Sequence, residues 1–463
     1  MQLLAMEPTT LKSLHDDTIC AIATPHGIGG LATVRVSGPD AEPIVQRLWH
    51  GKPIAAMTSH SAHLGSISDD DGATLDEVVL TIFRAPRSFT GQTVIELSCH
   101  GSLFVQQRLL QRLIAAGARM AEPGEFTRRA FANGRLDLAQ AEAVADVIAS
   151  RTRAAHRLAI SQMKGGISRR IEQLREQMLE LAALLELELD FSEEDVSFAD
   201  RSRLLALADE IHSIVTDLCN SFATGDALRN GLPVAIIGAT NVGKSTLLNA
   251  LLGDDRALVS DVHGTTRDVI EDTITIDGTL FRFIDTAGLR HTTDTVESMG
   301  IDRTIAKIEQ ARIVLLITDS PQSTATEVEQ AVNAHLAPDA VVIRVINKID
   351  LLPAAAQLQP DVVAISARQG TGLDTLRRRL VAVACDQLVA TDDTVVTNLR
   401  HYNALRSTDT ALSRAADALR SGISSEFVAQ DLREAIHHLG TITGAITSPD
   451  ILATIFARFC IGK

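Results

Sequence analysis

Aromatic residues make up only 3% of this 463-residue chain, with one tryptophan and one tyrosine. Proteins that hold single-stranded nucleic acid without sequence preference stack its bases on aromatic side chains, so this scarcity argues against that class of protein. Cysteines are also few: the chain has five, an odd number, and no C-x-x-C pair. Such a set suits reduced thiols better than a disulfide framework or a zinc site. We therefore predict that four of them are small core residues: Cys20, Cys99, Cys219 and Cys385.

Long apolar runs are missing as well. Charged residues interrupt every run well short of the roughly 18 apolar residues that a membrane span requires. The first 17 residues contain three acidic residues and one lysine. They lack both the apolar stretch of a secretory signal and the arginine-rich, acid-poor composition of an organelle transit peptide. These absences predict a cytoplasmic protein with no membrane partner.

Positive charge is in deficit overall, with 43 lysines and arginines against 58 acidic residues and a net charge of −15. This balance argues against a general nucleic-acid binder. Residues 151–175 depart from it, because seven cations there face one acid, Glu172. The simplest interpretation is a solvated helix face, and contact with a phosphate backbone is the alternative. The seven cations are Arg151, Arg153, Arg157, Lys164, Arg169, Arg170 and Arg175.

The chain divides into segments of different composition, and its length suggests about three domains. Residues 1–135 mix short apolar runs with glycine turns, which predicts an α+β domain. Residues 136–230 and 385–463 carry leucine and alanine at helical spacing, which indicates one all-α domain. Residues 231–384 alternate strands with helix-length segments and hold a hairpin signal, Asp277-Gly278. The predicted fold class is therefore multidomain α/β, with a mostly parallel sheet flanked by helices inserted into a helical domain.

The inserted segment begins with an apolar strand, a glycine loop and a helix start. Residues 238–245 read G-x-x-x-x-G-K-S, the spacing at which backbone N–H groups surround a β-phosphate. The glycines allow close backbone approach, Lys244 supplies a cation for the β- and γ-phosphates, and Ser245 supplies a hydroxyl for Mg²⁺. The helix that follows points the positive end of its dipole at the anion. We interpret this element as a phosphate-binding P-loop.

Three further motifs follow predicted strands in the order expected of a GTPase. Residues 285–288 read D-T-A-G, whose carboxylate holds Mg²⁺ through water and whose glycine N–H meets the γ-phosphate. Residues 347–350 read N-K-I-D; the carboxylate of Asp350 only accepts hydrogen bonds, so it fits the two N–H groups of guanine. Ser366-Ala367 supplies a backbone contact to the guanine carbonyl, and Thr266 in G-T-T is a second hydroxyl for Mg²⁺. The sequence therefore predicts a GTP-binding domain.

Leu289 stands where small GTPases carry a glutamine that orients the attacking water. Its side chain forms no hydrogen bonds, so catalytic assistance must come from other groups. Asn241 and the segment 260–265 offer oxygens for a monovalent cation in the place of an arginine finger. The candidates for orienting water are two acids in the loop that follows, Asp294 and Glu297.

Three stretches outside the GTPase motifs resemble the MnmE (TrmE) family of tRNA-modification GTPases. They are S-F-T-G at 88–91 with C-H-G at 99–101, P-G-E-F at 123–126 with L-D-L-A-Q-A-E-A at 136–143, and F-C-I-G-K at 459–463. The resemblance covers nearly the whole chain. Departures from the family pattern are small: Gln92-Thr93 replaces an acidic pair, Ser260 replaces a frequent threonine, and Arg135 is lysine in some relatives.

The resemblance implies a homodimer in which an N-terminal folate-binding domain dimerises and a GTPase domain interrupts a helical domain. It also implies a flavin-dependent partner of the MnmG (GidA) type, joined in a heterotetramer, and tRNA as the substrate. The implied cofactors are potassium, magnesium and 5-formyl- or 5,10-methylene-tetrahydrofolate. The implied reaction adds a carboxymethylaminomethyl or aminomethyl group to carbon 5 of the wobble uridine, with the one-carbon unit drawn from folate.

Site residues carry over by motif position. Lys244 and Glu297 are expected to act in catalysis, and Cys460 is a candidate functional thiol. By resemblance, Mg²⁺ is held by Ser245 and Thr266; potassium by Asn241, Ser260, Val262 and Thr265; and folate by Arg35, Glu96, Arg135 and Lys463. The residues expected to bind the nucleotide are Asn241, Val242, Gly243, Lys244, Ser245, Thr246, Ser260, Asp261, Val262, His263, Gly264, Thr265, Thr266, Asp285, Thr286, Ala287, Gly288, Asn347, Lys348, Asp350, Ser366, Ala367 and Arg368.

Simpler interpretations accompany these assignments. Without the resemblance, Arg35 and Glu96 are surface charges and His100 is a core histidine. The terminus is either a frayed end or, given the apolar residues around Cys460, a docked one. At the level of the whole protein, the alternative is a ribosome-assembly GTPase switch without modifying activity, since such proteins also replace the glutamine by an apolar residue. A scaffold without catalysis would require damage to the P-loop, and the sequence shows none.

Overall fold

The computed structural model describes residues 17–190, 201–253, 272–284, 305, 308–320, 326–352, 361–388, 395–421, 423–457, 459 and 461–462. Contacts divide the chain into two compact units. The first comprises Met1–Ala145, Gln162–His212 and Ser407–Lys463, and the second comprises Asp146–Ser161 and Ser213–Arg406. Within the described residues, no helix combines the length and the apolar character that crossing a bilayer demands.

A seven-stranded sheet lies in the first unit, with the order β3-β4-β5-β6-β2-β1-β7. Its strands are β1 (Ile19–Ile22), β2 (Ala32–Ser37), β3 (Trp49–His50), β4 (Ser61–Ser68), β5 (Thr74–Phe83), β6 (Val94–Cys99) and β7 (Arg119–Met120). All neighbouring strands are antiparallel except β1 and β7, which run parallel. Burial alternates along β2, as expected of a sheet that covers a core with one face. The predicted α+β domain is confirmed.

Helices make up most of the remaining described chain. They are α1 (Ala41–Gln46), α2 (Leu103–Ala115), α3 (Glu125–Ala132), α4 (Leu138–Ala149), α5 (Arg153–Met163), α6 (Gly166–Asp190), α7 (Arg201–Asn230), α8 (Lys244–Leu252), α9 (Thr326–His335), α10 (Leu373–Gln387), α11 (Leu399–Arg420), α12 (Ser425–Thr443) and α13 (Pro449–Phe456). In the first unit, α6 packs along α12. Leu174, Met178, Leu181 and Leu185 are fully buried at helical spacing on α6, which confirms the predicted amphipathic pattern.

A six-stranded sheet lies in the second unit, with the order β13-β12-β11-β8-β10-β9. Its strands are β8 (Leu232–Gly238), β9 (Asp272–Ile276), β10 (Thr279–Phe283), β11 (Ile313–Thr318), β12 (Val341–Ile346) and β13 (Val363–Ala364). All pairs are parallel except β9 with β10, which form an antiparallel hairpin at the edge. The turn of this hairpin is Asp277-Gly278, with φ of 47° and 78°. The predicted parallel sheet with one antiparallel edge is confirmed.

Two chain segments in the second unit lie against each other where the strand-rich part begins and ends. Val396 donates its backbone N–H to Ser221 Oγ over 3.1 Å. A Cβ at Gly225 would lie 2.1 Å from the Val396 carbonyl oxygen, so only glycine permits this approach. Phe222 stacks on Tyr402 with ring centroids 4.4 Å apart. Helix α7 and the start of α11 therefore pack against each other where the chain enters and leaves the strand-rich part.

Several elements differ from the sequence prediction. The sequence does not predict strands β3, β4 and β7 or helix α1, because these elements lack a clear apolar pattern. In β4, for example, the side chain of Leu64 is 73% exposed. The cysteine prediction holds for Cys20 and Cys99, which are buried. It is wrong for Cys385, which is exposed on α10, and Cys219 is only half-buried. Burial raises the pKa of Cys20 to about 12 and that of Cys99 to about 11, so both thiols stay protonated.

Candidate functional site

The P-loop lies between β8 and α8, at the carboxyl edge of the parallel sheet. Strand β8 is buried over six of its seven residues, and α8 begins directly after Gly243. Asn241 and Gly243 take positive φ values of 64° and 98°, which bend the loop around a concave set of backbone groups. Lys244 Nζ donates to the carbonyl oxygens of Gly238 and Ala239 over 2.8 and 2.7 Å. The ammonium group therefore lies over the loop that the sequence assigns to phosphate.

Both motif glycines are also required by their neighbours in the fold. A Cβ at Gly238 would lie 2.3 Å from the Ile317 carbonyl oxygen of β11. A Cβ at Gly243 would lie 2.3 Å from Asn347 Nδ2. From the sequence, both glycines are expected to let the backbone approach a phosphate. The structure adds that β11 and the N-K-I-D segment leave no room for a side chain at either position.

Asn347 joins the P-loop to the two segments assigned to guanine. Its side chain is buried, and its Nδ2 donates to the Val242 carbonyl oxygen over 2.8 Å. Its Oδ1 accepts from the Ala367 backbone N–H over 2.9 Å. Both polar atoms of one amide are thus used within the fold. Segments from the ends of β8, β12 and β13 are held together by this residue.

The two charged residues of the N-K-I-D motif, Lys348 and Asp350, are accessible to solvent at the same edge. Lys348 has a left-handed backbone, with φ of 60°, and Asp350 is exposed in the short 3₁₀ turn that follows. Lys348 Nζ lies 2.9 Å from Asp319 Oδ2, at the end of β11. Ser366 is buried and its Oγ accepts from the Gln369 backbone N–H. Asp319 is not among the predicted site residues, although an acid directly after a buried strand is a sequence signal for this position.

Some predicted site residues lie outside the part of the chain that the structure describes. They include Glu297, which is predicted to orient the attacking water, and most of the residues predicted to bind metal ions. The predicted site residues outside the described ranges are Ser260, Asp261, Val262, His263, Gly264, Thr265, Thr266, Asp285, Thr286, Ala287, Gly288, Asp294, Glu297, Cys460 and Lys463. The described members of the nucleotide set lie along the carboxyl edge of one sheet, on the loops that follow β8, β12 and β13.

A second cluster of predicted residues lies in the first unit. Arg35 on β2 and Glu96 on β6 are paired in register, and their side chains form an ion pair with Nη2 2.8 Å from Oε1. The Arg35 guanidinium carbon lies 6.0 Å from the ring centre of Phe89 and 5.6 Å from that of Phe126. Among the described residues, Glu96 is engaged through Oε1 only. Both charged side chains are about one-quarter exposed or less, which corrects the simpler view of them as surface charges.

Arg135 lies next to the loop of the S-F-T-G motif, which also contacts Arg35 through Phe89. It is exposed, and a Cβ at Gly91 would lie 3.3 Å from its Cγ, so its stem lies over that glycine. Thr90 in this loop is fully buried; its side chain hydrogen-bonds Ser37 Oγ, and its carbonyl oxygen accepts from Asn133 Nδ2 over 2.7 Å. The motif therefore forms a hydrogen-bonded loop that contacts Arg35 through Phe89 and Arg135 through Gly91.

Two described residues of the carboxyl-terminal tail, Phe459 and Gly462, pack against the first unit, as the docked interpretation of the terminus expected. Phe459 is buried and lies in one apolar cluster with Phe456 of α13 and Leu138 of α4. Arg35 Nη1 donates to the Gly462 carbonyl oxygen over 3.1 Å. Gly462 has φ of 98°, and a Cβ there would lie 2.4 Å from the Ile22 carbonyl oxygen.

The P-G-E-F motif holds a buried ionic cluster next to this tail. Arg129 Nη2 donates to Glu125 Oε1 over 2.9 Å and to Asp17 Oδ1 over 2.6 Å, and Arg129 and Glu125 are fully buried. Arg119 Nη2 donates to the same Glu125 oxygen over 2.7 Å. Burial alone would raise the pKa of Glu125, but hydrogen bonds from Arg119, the Glu122 backbone N–H and Arg129 outweigh it. The pKa of this carboxyl therefore lies below its ordinary value.

Two sequence interpretations of charged residues change with the structure. His100 is 73% exposed, which contradicts its interpretation as a core histidine. Its Nδ1 lies 2.7 Å from Asp76 Oδ1, and that hydrogen bond raises the pKa of the imidazole. The cationic stretch is mostly at the surface, as both of its interpretations expected. Its exposed members are Arg151, Arg153, Arg157, Lys164 and Arg169.

Two family models match most of this chain. Residues 138–460 match the MnmE helical domain, and residues 18–135 match the N-terminus of the GTP-binding protein TrmE. Curated relatives named tRNA modification GTPase MnmE are similar along their whole lengths. The relative from Parabacteroides distasonis is 48% identical over 96% of this chain and 100% of its own. Those from Cytophaga hutchinsonii and Bacteroides fragilis are 47% and 48% identical, over 98% and 97% of this chain and 100% of theirs.

Among solved structures, the FeoB G-domain from Methanococcus jannaschii is 26% identical over 34% of this chain and 98% of its own. Its TM-score of 0.24 is too low to inform the fold.

Proposed function

Since the chain belongs to the MnmE (TrmE) family and is a GTP hydrolase acting in tRNA modification, we propose that it modifies carbon 5 of the wobble uridine. The added group is carboxymethylaminomethyl or aminomethyl, and a folate supplies its one-carbon unit. A flavin-dependent protein of the MnmG (GidA) type is the partner, and two copies of each chain form a heterotetramer. The site of action in this proposal is the cytoplasm.

The observation that carries the nucleotide part of this proposal is the placement of Asn347. One buried amide connects the P-loop carbonyl of Val242 with the backbone N–H of Ala367. A GTP molecule bound at the sheet edge would extend from Lys244, at its phosphates, to Asp350, at its guanine, since these two positions lie on the segments that Asn347 joins. The positive φ values at Asn241 and Gly243 are the kind of backbone preorganisation that anion binding uses.

The described donors at the P-loop fit the two metal ions that the proposal requires. Ser245 presents a hydroxyl on the first turn of α8, and Asn241 is exposed at the bend of the loop with an amide oxygen. Oxygen donors of this kind are the ligands that Mg²⁺ and other hard cations prefer. We assign Ser245 and Thr266 to Mg²⁺, and Asn241, Ser260, Val262 and Thr265 to potassium. When bound, the cations neutralise charge that develops on the phosphate oxygens.

Hydrolysis requires an oriented water in addition to charge neutralisation. Leu289 replaces the glutamine that performs this task in small GTPases, so an acid must accept the water's hydrogen bond. We assign this role to Glu297, with Lys244 holding the β- and γ-phosphates. In this proposal GTP hydrolysis drives rearrangement of loops ordered by the γ-phosphate, and it does not supply the atoms of the modification.

Folate binding is assigned to the cluster around Arg35. A pterin ring presents N–H donors to a carboxylate, and Oε2 of Glu96 is available for them among the described residues. Arg135 is an exposed cation suited to the carboxylates of a folate tail. Lys463 completes the assigned set.

Nucleoside mass spectrometry of tRNA from a deletion strain tests the function directly. We expect the wobble uridine to lack its carbon-5 substituent, and a plasmid copy of the chain to restore it. A plasmid copy with Lys244→Ala should not restore it, whereas Asn249→Ala, an exposed change on the same helix, should. Normal wobble uridine together with a ribosomal subunit defect would contradict the proposal and would indicate a ribosome-assembly switch.

A further inference from the structure

Strand β11 ends between the two halves of the candidate nucleotide site. It lies between β8, which leads into the P-loop, and β12, which leads into the N-K-I-D segment. Ile317 is in register with Gly238 of the P-loop, and Thr318 is in register with Ile346, the last residue of β12. Asp319 follows directly and is the first residue beyond this central strand. Its charge therefore lies between the segments assigned to phosphate and to guanine.

The Asp319 carboxylate forms an ion pair with Lys348, whose Nζ lies 2.9 Å from Oδ2. The two side chains are 42% and 34% exposed, and an ion pair with that much solvent contact adds little to folding stability. Lys348 has the left-handed backbone that few residues with a side chain adopt, and it precedes the 3₁₀ turn that contains Asp350. The ion pair therefore acts on the residue at which the chain turns toward Asp350.

The residues on either side of Lys348 are held by hydrogen bonds. Asn347 donates its backbone N–H over 2.8 Å to the carbonyl oxygen of the last residue of β11, in addition to the two bonds of its side-chain amide. Ile349 donates its backbone N–H to the Ile365 carbonyl oxygen over 3.2 Å. Lys348 lies between these attachments with a side chain that has many rotamers in water. The bond to Asp319 selects one of them and joins this side chain to the end of β11.

From this placement we propose that Asp319 is a positioning residue for guanine recognition. By holding Lys348, it fixes the left-handed turn that places the Asp350 carboxylate. This role rests on the proposed function, in which Asp350 reads guanine. A carboxylate accepts both N–H groups of guanine in a bidentate geometry, so a displaced carboxylate loses part of its discrimination between bases. Asp319 contacts neither the base nor the phosphates and acts only through Lys348.

The ion pair also neutralises a charge at the phosphate-binding edge of the sheet. A triphosphate bound over Lys244 brings several negative charges to an edge that carries the Asp319 carboxylate, and like charges repel. Lys348 offsets that repulsion by pairing with the carboxylate. In a protein without Lys348, the acid no longer helps the nucleotide to bind. Removal of Asp319 should therefore reduce affinity only while Lys348 is present.

Competition binding of GTP and inosine triphosphate to the full-length protein tests the proposal, because inosine lacks the 2-amino group of guanine. In Asp319→Asn we expect the affinity for GTP to fall about fivefold, the upper end for a partly exposed ion pair, and the affinity for inosine triphosphate to fall less. Asp319→Glu keeps the charge and should recover part of the preference for GTP. Equal losses for the two nucleotides, or no loss in Asp319→Asn, would overturn the proposal.

Asp339→Asn is the matched control. It breaks an ion pair at the other end of the same strand, where Arg312 Nη1 lies 3.0 Å from Asp339 Oδ2. Both nucleotides should bind this variant as they bind the wild type. A lower preference for GTP in Asp339→Asn would attribute the effect to general loosening of the sheet and would contradict the role of Asp319.

A double-mutant cycle measures whether Asp319 acts through Lys348. Lys348→Met should weaken GTP binding, and the addition of Asp319→Asn should weaken it no further. Losses that multiply independently would overturn the proposal. If the wild type does not prefer GTP over inosine triphosphate, the guanine assignment of the proposed function is wrong, and the cycle measured with GTP alone still decides whether the two residues are coupled.

Discussion

Asn347 Nδ2 donates a hydrogen bond to the Val242 carbonyl oxygen over 2.8 Å, so the residue that opens the guanine motif is bonded to the phosphate loop. The same amide accepts from Ala367, which follows β13. In the proposed function, base recognition and phosphate binding therefore share one buried side chain. A change at this position should affect both.

Asn347→Ala should weaken GTP binding by roughly tenfold or more, because it leaves the Val242 carbonyl and the Ala367 N–H without their buried partner. Binding of a fluorescent GTP analogue measures the effect. Asn249→Ala, on the exposed face of α8, is the control and should bind as the wild type does. Equal affinity in both variants would mean that the Asn347 bridge does not organise the site.

Asp350→Asn should relax the preference for guanine. The carboxylate accepts two N–H donors, whereas an amide keeps one acceptor oxygen and adds an NH₂ donor group, which suits the carbonyl at carbon 2 of xanthine. We expect weaker binding of GTP and stronger binding of xanthosine triphosphate, measured by competition. If the variant still selects guanine over xanthine as strongly as before, Asp350 does not read the base.

Glu297→Ala should lower turnover by about 10²-fold or more while GTP affinity stays near the wild-type value, because the acid orients water and does not bind the ground state. Single-turnover hydrolysis and equilibrium binding measure the two quantities. Asp294→Ala is the matched control, since it removes the other acid of the same loop. A larger loss in Asp294→Ala would transfer the role to that residue.

Exchange of potassium for sodium should lower the hydrolysis rate by roughly tenfold or more, since a cation in the place of an arginine finger contributes strongly to the rate. Asn241→Ala should remove the difference between the two salts by slowing the reaction in potassium, while its requirement for Mg²⁺ persists. Initial rates at equal ionic strength provide the measurement. Identical wild-type rates in the two salts would exclude a potassium site.

Acid should destabilise the first unit through Glu125. Because the pKa of this carboxyl is lowered by folding, its contribution to stability is complete above the ordinary glutamate value and is lost as the pH falls through the folded value. Melting temperatures should therefore decline below about pH 4.5. Glu125→Gln should cost about 3 kcal/mol at neutral pH by leaving Arg129 and Arg119 without the charge, and should weaken the acid dependence. An unchanged acid profile in this variant would assign the dependence to other carboxyls.

Local patterns were sufficient to predict the nucleotide edge of the second unit. A buried apolar run, a glycine loop and a helix start specify β8, the P-loop and α8 with little help from the rest of the chain. The parallel direction of the remaining strands follows from the rule that strands joined through helices pair in parallel, whereas their order in the sheet does not follow from that rule. The bond between Lys348 and Asp319 could not be read in this way, because it depends on how two strand ends are spaced.

Local sequence patterns do not predict the long-range contacts in the first unit. No periodicity connects Arg35 with Gly462, and the P-G-E-F motif gives no sign that Glu125 is buried between two arginines. Strand β4 was missed because most of its residues remain accessible, so its sequence lacks the alternation of a half-buried strand. His100 was misplaced for a related reason: a polar partner on the neighbouring strand, Asp76, holds it at the surface.

The contact between Gly225 and Val396 has a bearing on the history of the fold. Some 170 intervening residues leave α7 and return to it at points in direct contact. A whole nucleotide-binding module could thus be gained in one genetic event, because the two flanking helices would not have to separate to admit it. For the same reason the module is removable: a short linker that joins the two chain segments at this contact would leave the flanking helices α7 and α11 in place.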